Sequence, residues 1–209
     1  MAIGNKNGFE NKKVYFVKVV TKDKDKKQLD NPYFSFSQKV GDEYKEVQQE
    51  KAFSGTLKRV ETGSYKWEGD DVLTSKAIVE DGEEVYFIDI PFSILGRSVL
   101  NSLLSLENLE GLNFTIYLTK PSEKNGGKRF PQISIWQNDE LVKWKYAIGE
   151  FPAVKKIKVG KKDAQDSSET DEFFVAKINE RFAKTGNSSA ASEPEGDTSQ
   201  GSVDEDVPF

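Results

Sequence analysis

Aromatic rings stand next to cations in two polar, glycine-containing segments. The first, "TGSYKWEGDD" at 62–71, places Tyr65, Lys66 and Trp67 side by side. The second, "PSEKNGGKRF" at 121–130, carries Lys124, Lys128, Arg129 and Phe130. An exposed ring can stack on a nucleobase, and a neighbouring cation can hold a phosphate. The pairing indicates contact with a nucleic acid strand; the structural alternative is that Trp67 packs beneath its own loop.

Further rings and cations lie on the apolar runs. In "ISIW" the alternation puts Ile133 and Ile135 on one face and Trp136 on the other, so Trp136 is exposed if the isoleucines are core. The predicted stacking rings are therefore Tyr65, Trp67, Phe130 and Trp136. The predicted phosphate contacts are Lys58, Arg59, Lys66, Lys124, Lys128, Arg129 and Lys143. We expect Trp144 and Tyr146 to be core, and the charged loop Lys22–Lys27 to be solvated or to follow a nucleic acid backbone.

Residue types argue against catalysis. The chain has no His and no Cys, which excludes thiol nucleophiles, histidine bases, disulfides and Cys/His zinc sites. The adjacent acids Asp70-Asp71, Glu83-Glu84 and Asp139-Glu140 point to opposite faces of a strand, so none of these pairs alone holds two metal ions. We expect no enzyme activity, no metal and no cofactor. A carboxylate-metal nuclease is the least favoured class of function.

Composition divides the 209 residues into a body and a tail. Hydrophobic residues make up 36% and charged residues 31% of the chain. Six of the 35 acids and none of the 30 bases lie in residues 187–209, which leaves the body with 29 acids against 30 bases. No apolar leader and no run of 18 apolar residues is present, so we expect a protein of the cytoplasm with no membrane contact.

The body is predicted to be mainly β. Strands are expected at Val14–Val20, Tyr33–Val40, Lys51–Glu61, Val72–Val79, Glu83–Ile90, Leu112–Lys120, Phe130–Gln137 and Leu141–Ile148. Leu95, Val99, Leu103 and Leu106 form one helical stripe after the cap Ser93. A second short helix is expected from a cap at Thr170, with Phe174, Ile178 and Phe182 as its apolar stripe.

The order of these elements suggests a fold. Counting from Lys51, five strands carry one helix between the third and the fourth, as in an OB-type barrel, with extra strands before it. We assign residues 1–160 to this domain, 161–186 to a charged linker and a short helix packed on it, and 187–209 to a disordered acidic tail.

The chain finishes on Asp204, Glu205, Asp206, Val207, Pro208 and Phe209. Together with the polar linker and the aromatic–cationic body, this ending resembles single-stranded-DNA-binding proteins of bacteria and their phages. The long body favours a phage-encoded, divergent member. A terminal Phe offers a ring and a carboxylate to an apolar pocket with a basic rim, and the acids can steer it there.

The resemblance implies a protein that coats single-stranded DNA largely without sequence specificity in replication, recombination or repair. Its tip would recruit the proteins of those processes. A monomer or dimer is favoured over a tetramer. The alternative is an interaction or adaptor protein, or a double-stranded-DNA binder, that uses the tail to reach replication machinery. An inert, solubilising tail is the other explanation of the ending.

Overall fold

The computed structural model describes residues 9, 11–67, 69–123, 126–159 and 162–182. It describes the backbone but not the side chains of Trp67, Asp70, Val159 and Lys162. The elements in chain order are β1 Lys13–Lys22, β2 Gln28–Val40, β3 Glu43–Glu50, β4 Ala52–Trp67, β5 Asp70–Asp81, β6 Glu84–Pro91, α1 Ile94–Ser105, β7 Leu112–Leu118, β8 Pro131–Gln137, β9 Glu140–Leu141, β10 Lys155–Val159, β11 Lys162–Asp166 and α2 Ser168–Phe182. The prediction of a mainly β protein with two helices is confirmed.

Nine of the described strands form one open, mixed sheet in the order β3-β2-β1-β6-β5-β4-β7-β8-β9. Closing the predicted barrel from β4–β8 would require β6 to pair with β8. Instead β1 pairs in parallel with β6, from Lys13 beside Glu84 to Val17 beside Ile88, and α1 lies against β8. The predicted barrel closure is therefore not found, because an N-terminal strand occupies the sheet edge that closure would need.

The sheet bends sharply where β3 runs into β4 through Lys51. Glu50 pairs with Phe34 on β2, whereas Ala52 pairs with Thr115 on β7. The Ile116 amide donates to the Lys51 carbonyl at 2.9 Å, which joins the two regions. The bend brings Phe53 within 4.9 Å of both Phe34 and Phe114, measured between ring centroids. These rings form the centre of the main core.

Both faces of the central strands bury apolar side chains. On β6, Tyr86, Ile88 and Ile90 belong to the main core beneath α1 and α2. Val85 and Phe87 point to the other face, which we call the outer face, where they cluster with Ile78 and with Phe9, Val14 and Phe16. Continuous apolar runs such as "VYFI" are typical of strands covered on both faces.

The cap predicted for the first helix is confirmed. The Gly96 amide donates to Ser93 Oγ at 3.2 Å, and Val99, Leu103 and Leu106 are buried. Helix α2 begins at Ser168, before the predicted cap. Thr170 is buried in its first turn and donates to the Pro152 carbonyl at 2.8 Å, so the prediction of Thr170 as the cap is wrong.

Helix α2 buries its predicted stripe, Phe174, Ile178 and Phe182, in the main core. The chain reaches α2 through a separate two-stranded hairpin, β10–β11. The two strands of this hairpin lie on either side of the domain boundary predicted between residues 160 and 161. Neither helix is both long and apolar enough to cross a membrane, among the residues described.

The last predicted strand, Leu141–Ile148, is mostly loop. Only Glu140 and Leu141 pair with β8, at Gln137 and Trp136. Helix α1 satisfies the backbone beyond them: the Asn101 amide donates to the Tyr146 carbonyl at 2.9 Å, and Tyr146 N donates back to Asn101 Oδ1 at 2.9 Å. Because the Asn101 side chain bonds to both backbone groups of Tyr146, Tyr146 needs no strand partner.

Candidate nucleic-acid interface

The segment 62–71, predicted to be a loop, is the end of a long β-hairpin. Tyr65 pairs with Val72, Lys66 with Asp71 and Trp67 with Asp70, so both strands continue almost to the turn at Gly69. Tyr65 is half exposed, at 50%. Lys66 lies on the opposite face, and its Nζ contacts Asp71 Oδ2 at 2.9 Å.

Lys58 and Arg59 sit at a β-bulge, where β4 slips against β5 between Leu57 and Arg59. Both cations already contact carboxylates: Lys58 Nζ lies 3.3 Å from Glu80 Oε2, and Arg59 Nε lies 2.8 Å from Glu61 Oε1. Burial favours the neutral form of Glu80, but hydrogen bonds from Lys12 and Lys58 outweigh it and lower the Glu80 pKa. These neighbours reduce the charge that Lys58 and Arg59 can offer a phosphate.

Two loops that are distant in sequence meet at one end of the sheet. Gln28 Nε2 donates to the Arg129 carbonyl at 3.0 Å, which ties the β1–β2 turn to the connection between β7 and β8. We call residues 22–28 and 119–130 together the basic loop pair. Its described residues include seven bases against three acids, and all seven bases are exposed: Lys22, Lys24, Lys26, Lys27, Lys120, Lys128 and Arg129.

Backbone contacts hold the basic loop pair in shape. Asp23 Oδ1 accepts from the Lys27 amide at 2.8 Å, so this acid is used in closing the turn. Thr119 N donates to the Phe130 carbonyl at 2.8 Å, and Phe130 N donates to Thr119 Oγ1 at 3.0 Å. The Phe130 ring is 46% exposed. The structure therefore brings Lys128, Arg129 and Phe130 together with the charged loop Lys22–Lys27.

The remaining predicted residues lie elsewhere. Trp136 is at the far end of β8, about 20 Å from Phe130 at strand spacing, and is 39% exposed. Lys143 is exposed in the loop after β9, where its carbonyl accepts from Ser105 Oγ at 2.6 Å. Trp144 is 44% exposed, contrary to its predicted place in the core, whereas Tyr146 packs on Phe173 at 5.1 Å. The four predicted rings therefore do not form one cluster.

A groove of 1110 Å³ lies between the β4–β5 hairpin, the ends of β1 and β6, and the β10–β11 hairpin. Its floor is partly apolar, from Val19, Leu73 and Phe92. Five carboxylates and two lysines line it: Glu61, Asp71, Asp89, Asp166, Asp171, Lys18 and Lys76. This excess of acids disfavours a phosphate backbone, in contrast to the basic loop pair.

Three rings on the outer face were missed from the sequence. Phe16 stacks on Phe87 with centroids 5.6 Å apart, and Tyr44 meets Phe16 edge-on at 4.7 Å. Lys76 Nζ lies 6.0 Å from the centroid of Phe87. Phe16 and Phe87 could have been found from the sequence, because apolar and polar residues do not alternate in β1 and β6, which indicates strands buried on both faces. Tyr44 carried no such signal, because it lies in the charged strand β3.

Several predicted residues lie outside the described part of the chain. These are Lys124, the side chain of Trp67, and the tip residues Asp204, Glu205, Asp206, Val207, Pro208 and Phe209. Among the described residues, no group of three or more acids could hold a metal ion. Comparison of the chain with protein-family models, curated proteins and solved structures finds no match.

Proposed function

We propose that this protein binds single-stranded DNA, largely without sequence specificity, during replication, recombination or repair. The observation that supports this best is the basic loop pair, where seven exposed bases and the ring of Phe130 converge through the Gln28–Arg129 contact. Since the body as a whole is nearly neutral, this local excess of positive charge favours contact with a phosphate backbone at the basic loop pair. Rings beside cations suit single strands, whose bases are free to stack.

Recruitment of partner proteins through the acidic tip belongs to the same proposal. Its support is the ending "DEDVPF", with a ring and a carboxylate on one residue, and its resemblance to bacterial and phage single-stranded-DNA-binding proteins. Action in the cytoplasm of a bacterium or an infected host cell follows from that resemblance.

An OB-type origin of the fold is likewise proposed. Its support is the continuity of β3 and β4 through Lys51, together with the parallel pairing of β1 and β6. β1 pairs with both β2 and β6, while the bent β3–β4 strand pairs with β2 through β3 and with β5 through β4.

Fluorescence anisotropy with a labelled 30-nucleotide strand tests the function. We expect binding that weakens steeply with salt, and weaker binding to a duplex of equal length. In the variant Lys128→Ala/Arg129→Ala, the slope of log affinity against log salt should be less steep by about 1.4, the effect of two lost phosphate contacts on a single strand. Failure to bind any single strand at low salt would contradict the proposal.

The matched control is Lys156→Ala/Lys158→Ala on β10, which removes two exposed cations that are not part of the basic loop pair. It should keep the affinity and the salt slope of the wild type. An equal loss in both double variants would mean that net charge, and not this surface, determines binding. Tighter binding of the duplex would favour a double-stranded-DNA binder.

A further inference from the structure

A second groove, of 630 Å³, lies on the outer face at the far end of β8. Ser54, Asn113 and Trp136 form its floor as one row, because Ser54 pairs with Asn113 across β4–β7 and Asn113 pairs with Trp136 across β7–β8. Asn138 and Asp139 form its wall from the β8–β9 turn, where both have positive φ, 50° and 63°.

The polar groups of this groove are suited to hydrogen bonding with a flat ligand. Thr115 Oγ1 donates to Asn113 Oδ1 at 3.1 Å, which orients the amide and leaves its NH₂ group as a donor. The Asp139 carboxylate is an acceptor on the opposite side. No lysine or arginine is among the described residues that line the groove, so it offers little to a phosphate.

A track of exposed rings connects this groove to the basic loop pair. Phe130, Tyr117 and Trp136 are 46%, 38% and 39% exposed. Tyr117 pairs with Gln132, two residues along from Phe130, and both Gln132 and Trp136 lie on the outer face of β8. A strand held by its phosphates at the basic loop pair can therefore reach Trp136 along β8. A neutral sugar chain would gain no binding energy from the cations of the basic loop pair, so the track favours a nucleic acid strand.

We propose that the row Ser54–Asn113–Trp136, with Asp139 opposite, is a subsite that binds one nucleobase by stacking on Trp136 and by hydrogen bonds to its edge. The inference depends on the proposed function and adds to it a base preference at one position. Amide and carboxylate side chains are among the groups that distinguish bases by their donors and acceptors.

The test uses the full chain with Trp136 as the single tryptophan, made by Trp67→Phe/Trp144→Phe. A 12-nucleotide single strand should quench Trp136 fluorescence, and an abasic strand of the same length should not. Equal quenching by the two would overturn the subsite, because the abasic strand has the sugars and phosphates but no bases. Loss of Trp136 exposure on concentrating the protein without DNA would also overturn it, in favour of contact with a second copy.

Affinity measurements complete the test. Trp136→Ala should weaken binding by about 5- to 150-fold, the range for one lost stack, while Trp136→Phe keeps most of the affinity. Trp144→Ala, an exposed tryptophan off this track, is the control and should bind as the wild type. Oligomers of dC and dT should differ in affinity by about fivefold or more, and Asn113→Ala should reduce that difference without changing the salt slope.

The outcomes separate the two proposals. Salt-dependent binding that Trp136→Ala leaves unchanged overturns the subsite and leaves the proposed function intact. Equal affinities for dC and dT in the wild type overturn the base preference. An absence of binding to every strand overturns the proposed function itself.

Discussion

Arg97 Nε lies 2.9 Å from Asp171 Oδ1, and the two side chains are only 14% and 11% exposed. The pair joins the first turn of α1 to the first turn of α2. Ser167 Oγ donates to the other oxygen of Asp171 at 2.7 Å, and Arg97 Nη2 donates to the Phe92 carbonyl at 3.2 Å. Burial raises the pKa of Asp171, although the Ser167 hydroxyl and the Arg97 guanidinium both favour its charged form.

Removing the guanidinium should therefore be costly at neutral pH. Arg97→Met leaves a buried carboxylate without its counter-charge, and we expect a loss of about 3–5 kcal/mol in the free energy of unfolding at pH 7. Without Arg97 the Asp171 pKa rises further, so the folded variant takes up a proton more readily than the unfolded chain. Its stability should then recover as the pH falls and Asp171 is neutralised.

Chemical denaturation at pH 7 and at about pH 4.5 measures this effect. The difference between wild type and variant should be smaller at the lower pH. The double variant Arg97→Met/Asp171→Asn is the control, since it removes both charges and should lose less stability than Arg97→Met at pH 7. A loss independent of pH would show that Arg97 acts by packing alone.

Gly96 is required by a close backbone approach. A Cβ at this position would lie 1.7 Å from the Pro91 carbonyl oxygen, where β6 turns into α1. We expect Gly96→Ala to destabilise the protein by about 1–3 kcal/mol or more, because the entry to α1 must shift. Gly63→Ala is the matched control: its Cβ would be 3.7 Å from the nearest atom, Thr74 Oγ1, so the melting temperature should hardly change. Equal melting temperatures in the two variants would contradict the close approach.

The rings at the end of the β4–β5 hairpin test how far the nucleic-acid surface extends. Trp67→Ala is expected to weaken single-strand binding by about 1–3 kcal/mol without unfolding the protein, and Tyr65→Ala to act in the same direction. Anisotropy measures the affinity and circular dichroism the melting temperature. Wild-type affinity in both variants would place the hairpin end outside the surface. A melted Trp67→Ala variant would show that its ring is core.

Deleting Asp204–Phe209 should leave the melting temperature unchanged. Single-strand affinity should stay equal or increase, most at low salt, because acids that compete for the body's cations are removed. Deleting Phe209 alone should abolish partner recruitment, measured by pull-down of the replication or repair proteins that bind the full chain, with DNA binding nearly untouched. A destabilised domain or a collapse of single-strand affinity would make the tail a structural element.

Local patterns in the sequence determined the elements. Runs of β-branched and aromatic residues predicted most strands, and the spacing of Val99, Leu103 and Leu106 after Ser93 predicted α1 and its cap. The stripe of α2 was equally visible. Composition alone was enough to show that acids are concentrated after residue 187. These features are local, because each depends on neighbours within a few residues.

Only the tertiary structure decided which distant segments meet. Nothing in the sequence indicated that β1 would take the edge of β6 that barrel closure requires, since strand pairing is a contact between remote parts of the chain. The same holds for the basic loop pair, whose two segments meet at the Gln28–Arg129 contact across about a hundred residues of sequence. Lys58 had no visible partner in the sequence, and the fold places Glu80 of β5 beside it. The sequence shows which side chains are charged, but tertiary packing decides which distant charges lie close enough to neutralise or reinforce them.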